Sequence, residues 1–159
     1  MLGGCLCGAV RYEAEGPFRS VSVCHCRTCR LASGAPIVSW FVLPRSRFRW
    51  LTGAPRLFAS SPPVRRGFCE QCGTQLTYQH SDAPDDIEVT TLSLDEPGRV
   101  PPTREIWLSD RVSWVPVNPL LEHYSRDSTG PRAATLEGAE CGMTSPSAPG
   151  CTQPPGGKQ

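Results

Sequence analysis

Lysine is nearly missing from this chain. Lys158 is the only one among 159 residues, and the remaining basic side chains are arginines scattered along the sequence. With no basic block and no recognition helix to carry one, a nucleic-acid partner is not expected. Long apolar runs are missing too: the longest mostly apolar stretch, residues 35–44, is far too short to span a bilayer, so no membrane partner is expected. After Met1 no basic segment leads into an apolar one, which argues against a signal peptide. These absences describe a soluble, cytoplasmic protein. In a reducing compartment, close-set cysteines are read as metal ligands before disulfides.

Sustained 3.6-residue periodicity is also lacking, and 17 prolines and 15 glycines leave little room for long helices. Short alternating segments take its place. Val10, Tyr12 and Ala14 alternate with Arg11 and Glu13, Val21 and Val23 share a face, and residues 37–43 suit a strand buried on both sides. Residues 48–51, 57–59, 75–78, 87–94 and 105–108 are further strand candidates. This spacing predicts an all-β sandwich or barrel-like sheet, with at most a helical turn around residues 26–31. The length suits one domain, expected at residues 1–126. Residues 127–159 contain no aromatic side chain and are rich in Gly, Pro and Ser, the composition of a disordered tail. Cys141 and Cys151 fall there, apart from every other cysteine, and are expected to be free thiols.

What the chain does have is clustered cysteine: Cys5-x-Cys7, Cys24-His25-Cys26-x-x-Cys29 and Cys69-x-x-Cys72. Cys5-x-Cys7 and Cys69-x-x-Cys72 are each followed by a glycine, Gly8 and Gly73, where a ligand turn tends to need positive φ. The likeness suggests two halves of one closed four-thiolate zinc site that clips the fold shut. In the third cluster Arg30, not glycine, follows Cys29. Cys24 and Cys26 share a strand face, Cys29 returns after a turn, and His25 in extended backbone points the other way. Cys24, Cys26 and Cys29 are therefore read as a three-thiolate zinc site with its fourth position open. Seven thiolates against two Zn²⁺ would lower the formal charge from +1 to about −2. Other readings stay open at this level: a second structural site closed by His25, redox or iron–sulfur use, or Cys24 and Cys26 meeting the Cys69/Cys72 knuckle instead. His80 and His123 lie in no ligand motif and read as ordinary surface or strand residues.

Three stretches carry a family resemblance. They are residues 3–12 around Cys5 and Cys7, residues 24–36 from Cys24 to Ser33-Gly34-Ala35-Pro36, and residues 68–76 around Cys69 and Cys72. Together with Ile106-Trp107, Asp110 and Trp114, they resemble the glutathione-dependent formaldehyde-activating enzymes, a family whose domain centromere protein V shares. The match runs over roughly residues 2–125 in order. Glu105, ahead of Ile106-Trp107, departs from the family's element, and the segment after Asp127 has no counterpart in it.

The resemblance implies a β-tent type domain with two zinc ions, a structural one on Cys5, Cys7, Cys69 and Cys72 and a catalytic one on Cys24, Cys26 and Cys29. It implies a carbon–sulfur lyase type of enzyme or carrier that joins glutathione or a similar small thiol to formaldehyde or a small aldehyde as an S-hydroxymethyl adduct. Arginines should then offset the carboxylates of the thiol. Arg27 and Arg30 are the first candidates, and Arg45, Arg47 and Arg49, read as one strand face, come second. Trp40, Trp107 and Trp114 are candidate pocket walls. Likeness to centromere protein V implies the alternative of a non-catalytic zinc-binding interaction module. That protein's long leading extension is not expected here, where the first motif begins at Gly3.

Overall fold

A computed structural model describes residues 1–133. These residues form two sheets and one short helix. The strands are β1 (Leu2–Gly4), β2 (Arg11–Ala14), β3 (Ser20–Cys24), β4 (Val38–Pro44), β5 (Phe48–Thr52), β6 (Arg56–Ser61), β7 (Val64–Phe68), β8 (Gln75–His80), β9 (Asp86–Thr90), β10 (Arg104–Ile106) and β11 (Glu122–His123). The helix, α1 (Arg27–Ser33), lies between β3 and β4. The expected all-β architecture is what forms. None of the described helices is long and apolar enough to cross a membrane.

The small sheet has the order β1-β2-β5 and is antiparallel. The large sheet runs β11-β10-β3-β4-β9-β8-β7-β6, antiparallel except that β10 lies parallel to both β3 and β11. The alternation at residues 10–14 places Tyr12 and Ala14 between the sheets, where they meet Phe41 and Leu43 of β4 and Ile87 and Val89 of β9. Tyr12 is fully buried, stacks on Phe48 at 5.2 Å between ring centroids, and shares a 2.7 Å hydrogen bond with Ser93 Oγ. This is the main core. A second apolar cluster lies on the opposite face of the large sheet, around Trp40 and Val38, and it includes Cys24 and Cys29.

Three strands escape the sequence reading. β1 is only three residues long, β11 only two, and β7 contains Arg65-Arg66-Gly67, which breaks the apolar alternation. The expected strand over residues 87–94 ends at Thr90, where a 3-10 turn (Thr91–Ser93) begins. Arg45, Arg47 and Arg49 do not share a strand face. Arg45–Arg47 form a 3-10 turn after Pro44, and only Arg49 belongs to β5. Beyond the expected boundary at residue 126, Ala133 N–H donates to His123 O at 2.8 Å and Arg132 bridges Tyr124, pairing that relies on backbone rather than apolar side chains. Cys141 and Cys151 lie outside the described residues.

Candidate metal centres

Cys5 follows β1 and Cys7 lies on the turn into β2, while Cys69 follows β7 and Cys72 precedes β8. Their four sulfurs come within 4.8 Å of one another, joining the small sheet to the large one. Cys7 Sγ is 3.5 Å from Cys5 Sγ and 3.8 Å from Cys69 Sγ, across 62 residues of chain. The two turns are built alike. Gly8 N–H donates to Cys5 O and Gly73 N–H to Cys69 O, with φ of 79° and 75° at the two glycines. That left-handed conformation strains any residue with a Cβ, which accounts for glycine at both places. Leu6 N–H donates to Thr74 Oγ1 at 3.1 Å and so ties one turn to the other. The Thr74 hydroxyl also lies 3.2 Å from Cys72 Sγ, and this bond holds the Cys72 thiol down at about 5.

The second cluster gathers Cys24, Cys26 and Cys29, again with all sulfurs within 4.8 Å of one another. Strand alternation delivers only Cys24, the last residue of β3. Cys26 reaches the cluster as the N-cap of α1, its sulfur accepting from Cys29 N–H at 3.3 Å, and Cys29 lies in the first turn. Gly34, at φ 65°, ends the helix one residue after Ser33. Hydrogen bonds from the neighbouring thiols of Cys24 and Cys29 push Cys26 strongly down, and the same contact with Cys26 pushes Cys24 up. Of the three, Cys26 is the first to become a thiolate. Cys24 and Cys29 are buried and Cys26 is half-buried.

His25 is fully buried, with its ring turned toward β10, where Nε2 lies 3.7 Å from Glu105 Oε1. Glu105 is itself only 4% exposed, and its other oxygen lies 3.7 Å from His123 Nε2. Asn118 N–H donates to Glu105 Oε1 at 3.2 Å. The residue that departs from the family pattern is thus a buried carboxyl group between two imidazoles, beyond hydrogen-bond distance of both, while His123 Nε2 lies 3.0 Å from Asn118 O. Burial holds His25 below its ordinary value, although Glu105 pulls it up.

Arg30 donates to His25 O at 2.6 Å and to Asp110 O, so it braces the cysteine turn against residues 108–110. Arg27 stands exposed at the start of α1. Arg47 donates to Gly16 O and Arg49 pairs with Glu13, both at the small sheet. Trp40 and Trp107 pack against the three-sulfur cluster, whereas Trp114 is 72% exposed. Trp107 is held in the left-handed region at φ 60°, with its N–H on Arg126 O at 2.8 Å and its ring under the Arg126 guanidinium. A bulky residue in that conformation is strained, and here it forms part of a site wall.

The cation at the sulfurs is Arg66, which sequence reasoning missed. It is 7% exposed, donates from both terminal nitrogens to Cys29 Sγ at 3.7 and 3.8 Å, and lies 4.9 Å above the Tyr78 ring. In the sequence it is one of two adjacent arginines, and nothing local separates it from Arg65. Glu88 of β9 pairs with Tyr78 in register and faces the same side, where burial pushes its carboxyl up to about 7.

Known proteins bear on this arrangement. An uncharacterised lyase of Schizosaccharomyces pombe is 30% identical over 80 residues, half of this chain, which spans 58% of that protein's length. A crystal structure of a Rhodobacter sphaeroides protein superimposes with a TM-score of 0.51 at 28% identity, over 60% of this chain and 88% of that one. Residues 1–110 match the family model described as glutathione-dependent formaldehyde-activating enzyme, a span that contains all seven clustered cysteines, Arg66 and the strained Trp107. By that match the chain belongs to the glutathione-dependent formaldehyde-activating enzyme family.

Proposed function

We propose that this chain is a zinc-dependent lyase-type enzyme or carrier, with one Zn²⁺ on Cys5, Cys7, Cys69 and Cys72 and a second on Cys24, Cys26 and Cys29. Its substrates are glutathione or a similar small thiol and formaldehyde or a small aldehyde. The reaction makes or breaks one carbon–sulfur bond: sulfur bonds to the aldehyde carbon, and the thiol proton ends on the oxygen of the resulting S-hydroxymethyl adduct.

The carrying observation is the unequal size of the two clusters, four converging sulfurs and three. Sulfurs arranged tetrahedrally at about 2.3 Å from an ion lie about 3.8 Å apart. Separations of 3.5 and 3.8 Å in the four-sulfur cluster suit that geometry. The three-sulfur cluster has a neighbouring imidazole, but the His25 ring is turned toward Glu105 and is not among the ligand atoms that converge with the three sulfurs. When bound there, zinc supplies a fourth position in which an incoming thiol is held as its nucleophilic thiolate.

The chain's own residues do the rest. Three thiolates exceed the charge of one divalent ion by one, and the Arg66 guanidinium on Cys29 Sγ offsets that excess inside a buried site. Trp40, Tyr78 and Trp107 pack against the three-cysteine cluster and make its surroundings apolar. Arg30 fixes the turn that carries Cys26 and Cys29.

Metal content and thiol binding test this reading. The intact protein should carry two zincs, Cys29→Ser one zinc with the fold retained, and only the intact form should bind glutathione by calorimetry. If Cys29→Ser unfolds as readily as Cys72→Ser, the open-site assignment fails.

A further inference from the structure

The two sulfur clusters meet solvent in opposite ways. At Cys24, Cys26 and Cys29, Arg66 donates to one sulfur and Trp40, Tyr78 and Trp107 pack close by. In the four-sulfur cluster Cys5 and Cys69 are buried, at 7% and 1% exposure, and Cys72 is half-buried. Cys7 is exposed, and among the described residues it is the one exposed cysteine. The turn that carries it is bare as well. Leu6 is 88% exposed, and a Cβ added at Gly8 would meet nothing within 4 Å.

Charge points the same way. Four thiolates on one Zn²⁺ leave a net charge of about −2, and among the described residues no guanidinium donates to these sulfurs as Arg66 does to Cys29. A cysteine bound to zinc is a thiolate, the form that oxidants attack. Accessible thiolates with a second sulfur beside them are the ones that pass from sulfenic acid to a disulfide.

Cys7 has such neighbours: Cys5 Sγ lies 3.5 Å away and Cys69 Sγ 3.8 Å. A disulfide to Cys5 would close a ring over the single residue Leu6, and disulfide geometry tolerates little distortion. Cys69 arrives on a separate turn, after β7, and is free of that constraint. Cys72 is a poorer target than Cys7, being half-buried and bonded at 3.2 Å to the Thr74 hydroxyl.

We propose that Cys7 is an oxidation site, at which a peroxide converts the four-sulfur centre into a Cys7–Cys69 disulfide and releases its zinc. The inference rests on the assignment of zinc to Cys5, Cys7, Cys69 and Cys72, and is independent of what binds at the other cluster. The Cys7 thiolate attacks a peroxide oxygen: an S–O bond forms, the O–O bond breaks, hydroxide leaves, and the sulfur is oxidised to a sulfenic acid. The Cys69 thiolate then attacks that sulfur, so that an S–S bond forms, the S–O bond breaks and a second hydroxide leaves. Two thiolates have together given two electrons to one peroxide. Cys5 and Cys72 alone do not complete a tetrahedral site, and the ion departs. The new disulfide keeps the two turns joined, so the metal is lost while the fold persists.

The test titrates full-length, zinc-loaded protein with hydrogen peroxide. A chromogenic chelator reports released zinc, and peptide mass mapping locates the oxidised sulfurs. One of the two zincs should leave, Cys7 should be joined to Cys69, and Cys24, Cys26 and Cys29 should stay unmodified. Reductant with added zinc should restore the centre, and dimedone, which traps sulfenic acids, should label Cys7. Cys7→His keeps a zinc ligand but has no sulfur, so it should hold its zinc at peroxide doses that empty the wild-type centre. Zinc leaving first from the three-sulfur cluster, oxidation of Cys72 with Cys7 intact, or wild-type release by Cys7→His overturns the inference. Should Cys7→His not fold, the mapping on wild-type protein decides alone. Intact protein without zinc on the four-sulfur cluster refutes the metal assignment and the inference with it, whereas zinc present there but lost by another route refutes the inference only.

Discussion

Arg66 and Cys29 lie 37 residues apart in sequence, yet both terminal guanidinium nitrogens of Arg66 point at Cys29 Sγ, at 3.7 and 3.8 Å. An arginine so buried needs a partner of opposite charge, and a thiolate supplies one. The cluster and the arginine account for each other.

Removal of that cation should weaken metal binding at one cluster only. Arg66→Met is expected to lower zinc affinity at Cys24/Cys26/Cys29 by about 10–100-fold, the range typical of residues that support metal ligands. Affinity at Cys5/Cys7/Cys69/Cys72 should not change. Arg66→Lys should fall between the two, since an ammonium cannot stack on Tyr78 or offer a fork. Chelator competition resolves the two sites.

Glu88 makes stability depend on pH. Burial raises its carboxyl to about 7 in the folded protein, against about 4.3 unfolded. A raised acid favours the folded state while it keeps its proton, so this stabilisation is lost as pH rises through about 7. Glu88→Gln should therefore be more stable than wild type at pH 8, by on the order of 1–3 kcal/mol. Urea unfolding at pH 6 and pH 8 should show the gap widening with pH.

Cys72 owes its acidity mainly to the Thr74 hydroxyl. In metal-free protein, Thr74→Val should move the midpoint of Cys72 alkylation up from about 5 toward the free-thiol value of about 8.5. The rate of iodoacetamide labelling against pH measures it. An unchanged midpoint would mean that backbone donors alone set the value.

Gly73 isolates the cost of a left-handed turn. A Cβ placed there meets nothing within 4 Å, so Gly73→Ala carries torsional strain and no clash. The expected loss is about 1–2 kcal/mol, read from the unfolding of zinc-loaded protein. Gly73→Asn should lose less, because asparagine tolerates this region better.

The readable parts of the sequence were those whose structure is local. The alternation at residues 10–14 did become β2, and the turn expected around residues 26–31 became α1. β7 was hidden because its buried arginine looks, in sequence, like a solvent-exposed one. The arginines at 45, 47 and 49 misled for the opposite reason: spacing alone suggested a strand face, but Pro44 ends β4 and the chain turns.

By itself, the sequence determined the all-β character, the cysteine groups and the glycine turns that shape two of them. These are set by a few consecutive residues and their allowed backbone angles. Only the tertiary structure decided that Cys5 and Cys7 meet Cys69 and Cys72, that His25 turns to Glu105, and that Arg66 meets Cys29 in the three-sulfur cluster. Those relationships depend on which strands pair and in what register, and register is fixed by burying Tyr12, Phe41, Leu43 and Val89 together rather than by any local motif.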